Sequence, residues 1–330
     1  MGPRMANPPA CATPREIAAA LPPGDPALVA AAGAEVDARP IPYALGSGES
    51  DEVALYAGVK PLLRQVLHVR EVAAARARFE ALGLVVAEAA HRVDLASTAG
   101  VVLFVGRDGA RVRAAVACEA ATEHDVELGQ LLGYPRCCVE AYLGLCPPRR
   151  NGEVFRRAFA ASGGRFAPRL NTLDLAVFHY VSWLPCSFSC ALSRAFASAV
   201  ASHIENRHGQ FLGGARRARV TCPPGCRHQV FVRAIDEALS AHRLVLHEDV
   251  QVSLLGRFDG ERVALERCWP TARDRHPDAR IDGEAREAVV RLTALVRAAG
   301  TVGVERGTLV VDGAAILTAP DALLVPFGAR

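Results

Sequence analysis

Lysine is almost absent from this 330-residue chain: of 38 basic residues, all but Lys60 are arginine. Alongside the many alanines, that reads as compositional bias, not as selection for phosphate contacts. No arginine cluster is interleaved with aromatics and the formal net charge is only +3, so no nucleic-acid partner is expected. Long uncharged apolar runs are missing too, and none approaches the ~20 residues of a membrane helix. Between Arg4 and Arg15 there is neither an apolar stretch nor a cleavage pattern, so no secretory signal is expected. A Ser/His/Asp order, a phosphate-cradling glycine loop and an H-E-x-x-H pattern are also absent, and Gly46-Ser47-Gly48 follows no strand. The expectation is a soluble, cytoplasmic chain without a membrane partner, its 51% hydrophobic content sufficient for one core or two.

The patterning predicts an α+β protein: a central helical cysteine-bearing core flanked by small α+β units with antiparallel hairpins. Residues 1–50, rich in Pro, Ala and Gly, read as a loosely ordered arm with one short helix near Pro14–Ala20. Residues 51–119 read as a small α+β unit. In it one helix starts at Asp51, and a second, opened by Pro61, runs from Leu62 to Leu82 and stops at Gly83. Leu84–Ala87 reads as a strand, and Val101–Val105 with Arg111–Ala117 as a hairpin turning at Arg107-Asp108-Gly109-Ala110. Residues 120–245 read as a helical metal-site domain, with helices over Thr122–Leu132, Arg136–Leu143, Asn171–Val181, Ser187–Arg207 and His228–His242. Residues 246–330 read as a C-terminal α+β unit. It has strands at Val250–Leu255 and Arg262–Leu265, a helix over Gly283–Ala299, and a last hairpin of Val302–Glu305 with Thr308–Val311.

What the chain does have is ten cysteines. In a reducing compartment, clustered cysteines point to metal, iron–sulfur or redox chemistry rather than to structural disulfides. Cys11, Cys118, Cys146 and Cys268 are isolated and read as small buried hydrophobes or incidental thiols. The other six form three close pairs. Gly133 ends one helix and Pro135 opens the next, so Cys137 and Cys138 lie in a first helical turn, where unpaired N–H groups and the helix dipole favour a thiolate. Pro185 breaks another helix; Cys186 then falls at the cap or first turn of the next, and Cys190 shares its face. Ser187 and Ser189 are placed to donate to sulfur. Two such helix starts, converging, surround one centre with four thiolates, the ligand count of tetrahedral zinc or of a [4Fe–4S] cluster. Adjacent cysteines without a spacer suit a zinc knuckle less well, which favours iron–sulfur. The third pair, Cys222 and Cys226 with His228 two residues on, reads as half a zinc site, as extra ligands to the main centre, or as a redox thiol pair. His179 is a further candidate ligand, on a helix aimed at the Cys186 loop, and Glu140 and Asp174 are candidate acids.

The run from Glu127 to Tyr142, followed by Leu184-Pro-Cys-Ser-x-x-Cys190, resembles the uncharacterised family called domain of unknown function 483. There a Gly-Tyr-Pro-x-Cys-Cys helix start is followed downstream by a Pro-Cys-Ser-x-x-Cys start. The likeness covers roughly residues 100–210. It implies that Gly133, Tyr134, Pro135, Cys137, Cys138, Pro185, Cys186 and Cys190 form one site. It carries no activity, and Cys222 and Cys226 lie outside it.

Three functions compete. The first is an iron–sulfur protein, with the cluster on Cys137, Cys138, Cys186 and Cys190, acting as an oxidoreductase or sulfur-transfer enzyme with a small-molecule or protein redox partner. The second is a non-catalytic Zn2+-stapled structural or interaction module. The third is metal-free thiol redox chemistry at Cys137–Cys138 and Cys222/Cys226.

Overall fold

The computed structural model describes residues 14–38, 47–95, 98–121, 125–144, 151–172, 178–205, 227–240, 242–247, 250–259, 262–272, 283–305, 307–317 and 323–328. Its helices are α1 Pro14–Ala20, α2 Pro26–Ala38, α3 Ser47–Ala57, α4 Val69–Ala81, α5 Gly109–Ala120, α6 Asp125–Leu131, α7 Arg136–Leu143, α8 Asn151–Ala161, α9 Ala191–Glu205, α10 Arg227–Leu239 and α11 Gly283–Ala298. The strands are β1 Leu62–His68, β2 Val85–Leu95, β3 Thr98–Gly106, β4 His242–His247, β5 Val250–Asp259, β6 Arg262–Ala272, β7 Val302–Glu305, β8 Thr308–Val311, β9 Ala314–Leu317 and β10 Leu323–Val325. Both sheets are antiparallel and the helices lie outside them, which is the α+β class. No helix among the described residues is long and apolar enough to cross a membrane.

Two compact units form, neither continuous in sequence: residues 45–146 with 177–237, and residues 1–44 with 147–176 and 238–330. In the first, the sheet order is β1-β3-β2. Its middle strand is apolar on both sides because both are covered. Val101, Leu103 and Val105 pack with Val72 and Phe79 of α4 and Leu55 of α3, while Val102 and Phe104 pack with Val112 and Ala115 of α5.

This two-sided burial explains one departure from the sequence reading. Leu62–His68 is a strand, not the first half of a helix reaching Leu82. Leu62 and Val66 serve one core and Leu63 and Leu67 the other. That doubled spacing mimics a helical stripe, and only the seven-residue pairing with β3 distinguishes them. The helix begins at Val69, where the Glu71 carboxylate accepts the His68 N–H at 3.2 Å.

A second departure follows at Asp108. Its carboxylate accepts the N–H groups of Ala110 (2.8 Å) and Arg111 (3.4 Å), so it caps α5 and the expected second hairpin strand is a helix.

The other unit carries a seven-stranded sheet in the order β10-β4-β5-β6-β7-β8-β9. Its core joins Leu292 and Val296 of α11 to Val302, Leu309 and Leu317 of the sheet, to Ile17 of α1 and Ala32 of α2, and to Leu21 just past the end of α1. The first 50 residues thus hold a core-packed helix, α2, beyond the one short helix expected of an arm. Arg291 of α11 donates to the carbonyl of Ala18 in the last turn of α1 and to those of Leu21 (2.6 Å) and Pro22 (3.2 Å) just beyond it. Helix α8, absent from the sequence reading, brings Phe159 to Phe166 at 5.1 Å.

Candidate metal centre

The chain turns sharply between α6 and α7, and glycine permits it. Gly133 has φ 81°, and a Cβ there would fall 2.5 Å from Pro61 Cδ. Helix α7 follows at once, its first hydrogen bonds made by Cys138 N (2.8 Å) and Val139 N (3.1 Å) to the Pro135 carbonyl. Cys137 and Cys138 therefore sit in the first turn, as the Pro-x-Cys-Cys spacing predicts.

The second segment differs from expectation. Residues 178–190 are not helical, and α9 starts only at Ala191. Cys190 is the residue that caps it: its carbonyl accepts Arg194 N–H at 2.9 Å, and its sulfur is bonded by the Ser193 backbone N–H. Cys186 stands four residues earlier in a turn that closes from Cys190 N to Ser187 O at 3.1 Å. The turn, not a shared helix face, brings the two together.

All four sulfurs lie within 4.8 Å of one another. Cys137 and Cys138 are 4.0 Å apart, Cys137 and Cys190 3.8 Å, and Cys138 and Cys190 3.9 Å. Cys138 and Cys190 are buried; Cys137 and Cys186 are half-buried. These four are the one group of potential ligands among the described residues that can hold a metal ion. His179 is described but does not join it, having no helix to carry it there. Cys222, Cys226 and Asp174, and the side chain of His228, lie outside the described residues. Glu140, proposed as an acid, instead pairs with Arg136 at 2.6 Å on the exposed side of α7.

Donors converge on the sulfurs. Cys138 Sγ accepts the Cys186 N–H at 3.4 Å and meets Ser193 Oγ at 3.4 Å. Trp183 Nε1, which can only donate, reaches the same oxygen at 3.1 Å. The Ser193 proton is thereby left for sulfur. The hydroxyls expected in this role behave otherwise: Ser187 and Ser189 face each other at 3.2 Å. Ser193 was legible only as the residue three beyond Cys190, which requires knowing that Cys190 is the cap.

Without a cation the four thiols cannot all ionise. Burial pushes Cys138 up to about 11 against the pull of Ser193 and the Cys186 N–H. Burial, then the neighbouring sulfurs, raises Cys186. Burial also opposes ionisation of Cys190, but there the Ser193 backbone N–H and the surrounding donors win, bringing it down to about 7. A divalent ion held among the four would supply the charge this crowding lacks.

The chain matches no family model, no curated protein and no solved structure, so the likeness of its two motifs to domain of unknown function 483 rests on those residues alone.

Proposed function

We propose that the chain is a zinc–thiolate protein in which one tetrahedral ion, held by Cys137, Cys138, Cys186 and Cys190, staples the start of α7 to the turn ahead of α9. The separation of the sulfurs carries this reading. A tetrahedron with metal–sulfur bonds of about 2.3 Å has edges of about 3.8 Å, against 3.8, 4.0 and 3.9 Å among the sulfurs of Cys137, Cys138 and Cys190, with Cys186 bringing all four within 4.8 Å. In a [4Fe–4S] cluster each thiolate stands beyond its own iron, and the sulfurs spread well past that spacing. The zinc alternative is therefore favoured over the cluster. Four thiolates leave no open position on the ion, so the centre is structural, and the work of the protein lies in what the pinned segments present to a partner.

Metal, iron and sulfide analysis of protein purified without oxygen tests this. The expected result is about one zinc per chain with no sulfide, lost in Cys186→Ser. Iron with sulfide would restore the cluster, and reactive thiols with no metal would favour dithiol redox chemistry. A cobalt-substituted sample should show the visible bands of a tetrahedral thiolate site.

A further inference from the structure

The single lysine lies beside the metal centre. Lys60 is 1% exposed. Its ammonium is ion-paired with Asp51 of α3, itself 3% exposed, donates to Ser182 Oγ at 3.2 Å, and lies 4.8 Å from the centre of the Tyr134 ring. The next residue, Pro61, is the one packed against Gly133. Tyr134 enters the first cysteine pair and Ser182 leads into the second. One buried cation thus holds both sulfur-bearing segments just before their cysteines. The segments also meet through Tyr134 and Trp183, whose rings are 5.1 Å apart. From Trp183 the hydrogen bonds run through Ser193 to the Cys138 sulfur.

The residue type supports a specific task. Arginine fills every other basic position of the chain, yet here a compact ammonium points its donors at a carboxylate, a hydroxyl and a ring face. A planar guanidinium spreads its donors over a wider fork, so these three partners, met here by one nitrogen, would have to move to accept it. A buried ion pair often adds little or no stability over a well-packed apolar pair of the same size.

We propose that Lys60, held by Asp51, is a positioning residue of the metal centre: it sets the separation of the Tyr134 and Ser182 segments so that the four sulfurs meet. This rests on the metal reading above. The test compares full-length wild type with Lys60→Arg, Lys60→Met/Asp51→Leu and, as a control in the same unit, Val101→Ala. The double variant replaces the ion pair by apolar groups, a change often neutral or stabilising for folding. Zinc transfer to a chromophoric chelator should be about ten-fold faster in both Lys60 variants, the size expected of a group supporting the ligands. Val101→Ala should lower the thermal midpoint yet release zinc at the wild-type rate. Wild-type release from both Lys60 variants, or equal acceleration by Val101→Ala, overturns the proposal. If wild type carries no metal, the metal reading fails by itself. Positioning is then read from the rate at which diamide closes a Cys137–Cys190 disulfide in the reduced protein: about ten-fold slower in Lys60→Arg if the proposal holds, unchanged if it does not.

Discussion

The two units bury different chemistry. Around α11 the interior is hydrocarbon, and two buried polar side chains of that unit turn to carbonyls: Ser162 Oγ to Ala158 O at 2.5 Å, Asn171 Nδ2 to Leu239 O at 2.9 Å. In the sulfur-bearing unit the buried polar groups answer one another, Lys60 with Asp51 and Ser193 with Trp183 and Cys138. The first arrangement asks nothing of solution. The second contains four sulfurs whose shared ionisation requires a cation. The four sulfurs of that unit are placed so that they could hold a metal ion.

On the proposed zinc reading, withdrawing the metal should break that comparison open, and is the largest effect expected. Structural zinc contributes several kcal/mol of folding free energy at neutral pH. Chelation, or Cys138→Ser, should therefore strip hydrogen-exchange protection from α7 and α9 while α11 and β8 keep theirs. Equal loss in both units would refute the contrast. Acid does the same by degrees. Cys138 and Cys186, both raised by burial, must each release a proton to bind. These two alone should make apparent affinity fall by about two decades per pH unit as pH falls near neutrality, and Cys190, down at about 7, steepens the fall below that.

The reciprocal change is Leu309→Ala, in the core of the other unit and fully buried. It should destabilise that unit by about 2–5 kcal/mol, measured by denaturant titration, with zinc content unchanged. A drop in zinc per chain would mean that the units are not energetically separate.

Why some of this was legible and some was not comes down to particular residues. Pro135 and Gly133 punctuate α6 and α7 through their own backbones, so the first cysteine pair was readable without tertiary information. The second was not, because Pro185 signals a break but says nothing of how far the next helix start is delayed. Asp-Gly shows the limit best. At 312–313 it is the turn between β8 and β9, Gly313 at φ 80° and Asp312 accepting Thr301 N–H at 2.8 Å; at 108–109 the same dipeptide opens a helix. Local sequence offers both outcomes, and packing chooses. Likewise Lys60 was conspicuous by composition, but only the fold reveals its neighbours.

Ser193→Ala sharpens the comparison on a smaller scale. It removes a donor from Cys138 and leaves Trp183 Nε1 without its acceptor. An unpaired buried donor costs about 1–3 kcal/mol, and loss of a group supporting a ligand weakens metal binding about 10–100-fold. Chelator competition should show weaker zinc binding, and Ser193→Thr, which keeps the hydroxyl, should recover much of it. Equal affinity in Ser193→Ala would mean that the hydroxyl does not serve the sulfur.

Glu140→Gln is the smallest expected effect and separates proximity in sequence from participation. Glu140 lies two residues past Cys138, close enough to suggest an acid at the site. Its side chain is 55% exposed and paired with an Arg136 that is 78% exposed, and such pairs are screened by water and salt. Removing its charge should leave both zinc release and the thermal midpoint at wild-type values at physiological ionic strength. A changed pH profile of zinc release would instead place the carboxylate in the protonation chemistry of the sulfurs, and the division between a buried polar network and a solvated helix face would have to be redrawn at α7.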